Sequence, residues 1–425
     1  MLRALLMGGV VAVTQLQVSA LAAGFAIREQ SASFQGASFA GVAAGGADIS
    51  TMFFNPATLT RHDDTSLHLS ASYIAPRAAF DLDAATDGNG NALAGSAGGD
   101  IADDAFLPAV YGATRWGDVH LGLAITAPFG LRTDQPEQWV GRYHATESEL
   151  TTININPAVA YAVTERLSLA AGFVAQYADA TLANARDLSA LAGAAGPSPA
   201  TDGIAEVTGH DWDYGFTLGV LAEPIDGTRI GLGYRSQINH SLEGDFTLTS
   251  EVMATQRDTG RAALATPQVA SLGVRQRVTD AFDLLGTVEW TGWSSFDELE
   301  VSLADGGGSS TEENWSDSWF VALGGEYRPR EDLALTAGVA FDRSPIDDTH
   351  RTPRIPGNDR TWISFGLAWT PTAAIMVGGG YSHLFVADGD IDLDGGATAT
   401  GGRGVLRGSF DNAVDILALH GTFRF

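Results

Sequence analysis

The sequence predicts an all-β protein: a transmembrane antiparallel β-barrel of about fourteen strands, its lumen plugged by an N-terminal hatch. Three observations carry that expectation. Along most of the chain, segments of about ten residues alternate apolar with small or polar side chains. Short turns take turns with long connections rich in Asp, Gly and Ser. The composition, with 51 glycines and 18% charged residues, is unlike that of a water-soluble acidic protein of 425 residues.

Residues 1–22 read as a secretory signal. Arg3 supplies the positive start, Ala4 to Val13 the short apolar stretch, and Ala20-Leu21-Ala22 the small-x-small cleavage pattern. Gln15 and Gln17 cut that apolar run well short of the ~20 residues a helical span requires. No later run is long enough either, so export without a helical anchor is expected.

From about residue 65 onward the alternation takes over. Leu67, Leu69, Ala71 and Tyr73 oppose Ser66, His68, Ser70 and Ser72. The same pattern returns at Val119–Ile125, at Leu167–Tyr177, at Trp212–Val220, at Ile230–Tyr234, at Thr361–Trp369 and at Leu417–Phe425. Side chains alternate faces along a strand, so each segment has one greasy face and one small, polar face. The expected spans are 65–75, 106–115, 119–127, 150–162, 167–181, 212–222, 228–239, 268–278, 282–293, 318–328, 333–342, 360–370, 375–386 and 412–425. A secreted sandwich would carry charge on its second face. Here that face is Gly, Ala, Ser and Thr, which suits a crowded lumen. Closure also removes the unpaired strand edges that lipid does not tolerate. Short turns such as Trp116-Gly117-Asp118 then face the periplasm, and long connections such as 182–211 and 240–266 face outside. The terminal Phe423-Arg424-Phe425 fits closure by the last strand.

Composition excludes several classes. There is no cysteine, so disulfides, thiolate metal sites and cysteine nucleophiles are ruled out. All 24 basic residues are arginine against 51 acidic ones, a net charge of −27, which argues against nucleic acid as a partner. No G-x-S-x-G elbow is present, and the nine histidines show no metal-binding spacing. Asp388, Asp390, Asp392 and Asp394 mimic a calcium loop but lack its closing glutamate. No enzyme activity, cofactor or metal is therefore expected, and the acidic outer loops keep only weak divalent-ion bridging to lipopolysaccharide as an open alternative.

Residues 23–64 do not alternate. They combine small residues with Phe25, Ile27, Phe34, Phe39, Phe53 and Phe54, too apolar for a free tail. A fourteen-stranded lumen exceeds what wall side chains can fill, so this segment is expected inside the barrel, with Asn55-Pro56-Ala57 forming a tight turn. Gly24-Phe25, Glu29, Gly36, Gly41, Asp48 and Asn55-Pro56-Ala57 fall at the spacing of the hatch of the long-chain fatty acid transporter (FadL-type) outer-membrane family. PFGLRT at 128–133, WVGRYHA at 139–145, INPAVAY at 155–161, SWF to GGEYRP at 318–329, GVAFDRSP at 338–345 and IPGNDRTWISFG at 355–366 are similar to the same family. The domain division expected is a signal peptide at 1–22, the hatch at 23–64 and the barrel at 65–425.

The resemblance implies a Gram-negative outer-membrane protein that takes up hydrophobic small molecules and releases them sideways at a distorted third strand. Pro128 closes that strand and cannot donate to a ladder. Phe25 resembles the family residue beside the ligand pocket. Leu182 and Leu188 in one long connection, and Phe246 and Leu248 in another, are the expected capture surfaces. Family members that carry fatty acids hold the carboxylate with basic side chains. With no lysine available, Arg186 and Arg142 are the candidates here, while Arg229 and Arg235 are expected to pair with wall acids such as Asp213. Long-chain fatty acids are the expected cargo, with neutral aromatic or aliphatic hydrocarbons as the alternative by the same route. A general porin and a surface adhesin are the alternatives of another class. The expected partners are the hydrophobic ligand and the surrounding outer-membrane lipid and lipopolysaccharide, with a monomer as the default.

Overall fold

The computed structural model describes residues 24–393 and 403–425. The expected signal segment and Asp394 lie outside them. Fourteen strands close an antiparallel barrel. They are β1 (Ser66–Ala85), β2 (Ala105–Trp116), β3 in two pieces (Val119–Thr126 and Gly130–Asp134), β4 (Glu147–Thr164), β5 (Leu167–Asp187) and β6 (Asp202–Ile225). Next come β7 (Thr228–Arg235, continued by Ile238–Ser250), β8 (Gln256–Thr266, continued by Val269–Thr279), β9 (Phe282–Thr291) and β10 (Ser318–Arg330). The last four are β11 (Leu333–Asp342), β12 (Arg360–Thr372), β13 (Ile375–Val386) and β14 (Leu406–Arg424). Each pairs with the next, and β14 returns to β1 in a register running from Ser66↔Arg424 to Ala85↔Leu406. No helix among the described residues is long and apolar enough to cross a membrane.

The alternation places the greasy face outward. Leu69, Tyr73, Phe173, Tyr214, Phe216, Leu232, Phe365, Leu367 and Leu419 are exposed, Phe365 to 60% and Leu419 to 61%. In water such a belt would drive aggregation; against lipid it is the solvated surface. The opposite residues, among them His68, Ser72, Thr287, Ser364 and Ser382, are buried inside.

Several strands run further than the alternation of apolar residues indicates. Residues 182–187 belong to β5, 202–211 to β6, and 240–250 and 256–266 to β7 and β8, so Leu182, Phe246 and Leu248 lie on strands rather than in loops. Arg186 is likewise on β5, one residue before its end. In these extensions the outward set changes from apolar to charged, as at Glu243 and Arg261, while Leu242, Ala262 and Leu264 still point inward and are buried. Outside the bilayer there is no reason for a greasy outer face, and the pattern fades although the ladder continues.

Residues 24–64 fill the lumen with short helical turns at Ala32–Gln35, Val42–Ala44, Ile49–Phe53 and Pro56–Arg61. The small polar wall residues are their anchors. Gln35 Nε2 donates to Ser382 Oγ (2.7 Å), Ser38 Oγ to Ser364 Oγ (2.7 Å), and the Gly41 N–H to Thr287 Oγ1 (2.9 Å). Asn55 accepts the Ala57 N–H (3.0 Å), capping the Pro56–Arg61 turn, and donates through Nδ2 to Ala43 O (2.7 Å) and to Val220 O on β6 (2.9 Å). The wall glycines let backbone meet backbone: a Cβ on Gly233 would overlap the Phe54 carbonyl.

Candidate functional site

One interruption of the wall lies between β2 and β3. Pairing of β2 with β3 runs from Trp116↔Val119 to Val110↔Ile125 and stops, although β1 still pairs with β2 as far as Ile74↔Ala105. β3 breaks after Thr126 at Ala127-Pro128-Phe129 and resumes at Gly130, now paired with β4 alone. A bridge between Ala102 and Thr133 closes the wall again above. Residues Ala105–Ala109 of β2 therefore face a gap in the ladder.

The N-terminal segment supplies the missing partner from inside. Ala26 bridges Phe129, the Ile27 N–H donates to Pro128 O (2.8 Å) and the Gly130 N–H to Phe25 O (2.9 Å). Gln30 Nε2 donates to Ala127 O (2.8 Å), and Gln30 Oε1 accepts the Ala127 N–H (3.1 Å). Thr152 of β4 donates to Phe129 O (2.7 Å) and accepts the Phe129 N–H (3.0 Å). Buried backbone groups that the break would orphan are thus satisfied without β2.

Phe25, 2% exposed, stands in an aromatic cage. Its ring centroid is 4.7 Å from Trp293, 5.4 Å from Phe296, 5.7 Å from Trp315 and 5.9 Å from Phe129. Gly24 precedes it at φ +67°, and a Cβ there would press on Trp293 and Trp315.

Two cavities adjoin this cage, and a third adjoins the second of them. The innermost, about 980 Å³, is lined by Ile27, Phe53, Phe54, Phe129, Trp293, Phe320 and Trp362 and reaches Pro128 at the break. Its charged residues are balanced: Arg28, Arg235 and Arg360 face Glu29, Glu289 and Asp342. Arg28 pairs with Glu289 at 2.7 Å, and burial pushes the hatch carboxyl of Glu29 up to about 7. Arg235 donates to Phe53 O (3.0 Å) and lies over the Phe53 ring; it does not pair with Asp213, whose carboxylate accepts the Tyr214 N–H.

The middle cavity, about 750 Å³, is lined by Phe25, Leu131, Leu150, Leu182, Val207, Leu242, Leu264, Phe296 and Leu299, with Glu313 and Arg354 among its few polar groups. Phe25 lines this cavity, while its cage partners Phe129 and Trp293 line the inner one, so the cage stands between the two. Burial raises Glu313 to about 7 against the opposing pull of the Trp315 N–H and Arg354. Burial and the neighbouring Arg403 lower Arg354 to about 10.

The outer cavity, about 640 Å³, shares Leu182, Val207, Leu299 and Arg354 with the middle one and adds Asn184, Phe246, Arg186 and Arg403. Arg354 is held by Glu147 O (2.9 Å), Ser148 Oγ (2.8 Å) and Ala183 O. Among the described residues neither Arg186 nor Arg403 is paired with a carboxylate, and the nearness of Arg186 pulls Arg403 down further.

The structure thus gathers Phe25, Leu182, Phe246 and Arg186 along these cavities. It sets three other residues apart. Arg142 is 1% exposed, pairs with Asp202 (2.8 Å) and stacks on Tyr143, so its charge is spent on stapling the outer chain. Leu188 and Leu248 pack together over Gly203. The cage residues Trp293, Phe296 and Trp315 and the basic residues Arg354 and Arg403 were missed in the sequence. Their signal was weak: two tryptophans and a phenylalanine within or beside one long connection, where solvated loops usually lack them.

A closed barrel with a lipid-facing belt, a filled lumen and a chain of apolar cavities defines an outer-membrane transport protein for hydrophobic compounds. Residues 12–425 match the family described as outer membrane protein transport protein (OMPP1/FadL/TodX), and the chain belongs to that family. A putative outer membrane protein of Neisseria meningitidis serogroup B, NMB0088, is 30% identical, covering 95% of each chain. A long-chain fatty acid transport protein of Escherichia coli O6:H1 is 29% identical, over 88% of this chain and 90% of its own. The crystal structure of a Pseudomonas aeruginosa FadL homologue superposes with a TM-score of 0.88 at 24% identity, covering 95% of this chain and all of that one. The Ralstonia pickettii toluene transporter TbuX shares the fold at a TM-score of 0.66 and 17% identity, covering 92% and 99%.

Proposed function

We propose that the protein takes up long-chain fatty acids: capture in the outer cavity, passage through the middle one past Phe25, and release sideways through the gap between β2 and β3. The observation that carries this reading is the grouping of Arg186, Arg354 and Arg403 at the mouth of an apolar path in a chain of net charge −27. Like charges held together are costly unless an anion completes them, and an arginine fork matches a carboxylate. The apolar tail then extends toward Leu182, Leu242 and Leu264. Burying tail surface gains about 25 cal/mol per Å², and a series of similar cavities keeps each transfer nearly level. The E. coli relative named as a long-chain fatty acid transport protein adds support.

A second reading, uptake of neutral aromatic hydrocarbons, is favoured by the four-membered aromatic cage around Phe25. Titrating oleate and toluene in parallel against detergent-solubilised protein separates the two. Fatty-acid uptake predicts oleate binding that weakens about tenfold or more in Arg186→Ala, the scale of one lost charged hydrogen bond. Toluene binding indifferent to Arg186, with no oleate signal, moves the assignment to hydrocarbons. Binding of neither ligand overturns the transport reading in both forms.

A further inference from the structure

At the opposite end of the lumen from the arginines, Asp48 of the hatch meets His68 of β1 and His420 of β14. One ligand atom from each of the three lies within 4.8 Å of the others, and all three residues are buried. The imidazoles come from neighbouring strands at the barrel's closing seam, where Ser70 pairs with His420 and His68 with Thr422, and they stack 5.6 Å apart.

Three polar atoms at this junction are buried without a hydrogen-bond partner: Asp48 Oδ2, His68 Nε2 and His420 Nδ1. Such groups are rare because each forfeits its hydration. Their neighbours are well supported. Asp48 Oδ1 accepts the Ser50 N–H (2.9 Å) and the Ser50 hydroxyl, which fixes the carboxylate and leaves Oδ2 free. His68 Nδ1 is 2.8 Å from Thr422 Oγ1 and 3.5 Å from Asp48 Oδ1, and a proton held on Nδ1 leaves the Nε2 lone pair unused. An imidazole oriented through one nitrogen with the other unengaged is the arrangement of a metal ligand with its supporting partner. A cavity of about 770 Å³ borders Asp48 and His420 and is lined by Glu326, Arg328, Asp332 and Thr370 near short turns, so an ion has a route from the periplasmic side.

The geometry points to a divalent transition-metal site formed by Asp48, His68 and His420. Two imidazoles and one carboxylate suit Zn²⁺, Co²⁺, Ni²⁺ or Cu²⁺ and not Ca²⁺ or Mg²⁺, which take oxygen ligands. Its consequence is mechanical. The ion joins the hatch to the first and last strands of the barrel, and any ion bound only in the folded state stabilises that state. Sequence spacing could not reveal it, because the ligands come from the hatch and from the two ends of the barrel.

The test uses the mature chain without a histidine tag, purified in detergent and stripped with chelator. Titration with Co²⁺, followed by displacement with Zn²⁺, is expected to show one ion per chain with the strong visible absorption of a tetrahedral site. X-ray absorption of the Zn²⁺ form is expected to count two imidazoles at about 2.0–2.1 Å. His420→Gln should weaken binding more than tenfold and abolish the upward shift in melting temperature that Zn²⁺ gives the wild type. His383→Gln, a half-buried histidine elsewhere on the barrel, should leave both unchanged. Folding of each variant is checked by its heat-modifiable gel migration. Absence of a stoichiometric Co²⁺ band in wild-type protein overturns the site, and so does a spectrum without imidazole ligands or an affinity unaltered in folded His420→Gln.

Discussion

Glu313 and Arg354 face the same cavity and give the path a dependence on pH. Glu313 rises to about 7 because burial disfavours its charged form, while Arg354, lowered only to about 10, stays cationic. On the proposed fatty-acid route, the Glu313 carboxylate formed above pH 7 opposes an anionic ligand at Arg354, and the neutral acid below pH 7 does not. A long-chain alkylsulfonate, ionised throughout, should therefore bind more tightly at pH 6 than at pH 8. Glu313→Gln should remove that difference, and toluene should show none; titration calorimetry at the two pH values checks all three. The sign for stability runs the same way. A folded pKa above the ordinary value contributes stability that is complete below pH 4.5 and is lost as pH rises through about 7. At this scale the sequence was partly legible. Phe25 and Arg186 were singled out, one through family resemblance and the other as a cation beside a long connection, and both line cavities. Arg354 and Arg403 were not, because they lie in two separate connections and only the folded outer surface brings them beside Arg186.

The hatch and β3 show what was readable element by element. Residues 23–64 stood out because they broke the alternation while keeping their phenylalanines, and Pro128 marked the end of the third strand. What could not be read is that the break is repaired from inside, since the Ala26–Phe129 bridge and the Gln30 bonds join segments far apart in sequence. The strand extensions beyond the membrane escaped for another reason: their inward residues stay apolar while their outward residues turn polar, so the two-faced pattern blurs. The close fit of hatch to wall makes a specific prediction. Gly233→Val should displace the Phe54-Asn55 turn, since its side chain would occupy the place of the Phe54 carbonyl. Overpacking of this kind costs about 1–3 kcal/mol. Limited proteolysis should then cut within residues 24–64 in the variant while the barrel itself stays intact.

At the scale of the molecule, two surfaces oppose each other. The outside is a belt of exposed aliphatic and aromatic side chains, and the inside holds a series of largely apolar cavities lined by the hatch and the wall strands. The gap between β2 and β3 is the place where the hydrogen-bonded wall between them is interrupted, and the inner cavity reaches it at Pro128 and Phe129. On the proposed route, cargo leaving there passes from one apolar medium to another without crossing the charged outer surface. The sequence revealed the barrel, because a lipid-facing strand repeats its pattern in every wall segment. It did not reveal the cavities, which depend on how far each hatch turn sits from the wall. The most direct test of the path is photolabelling in outer membranes with a fatty acid that carries a diazirine in mid-chain, followed by mapping of the modified residues. The account predicts labels on Leu182 and Leu242, on Phe25, and on the 127–131 segment at the gap. Labels confined to outward-facing wall residues such as Leu367 and Leu419, with none inside, would contradict it.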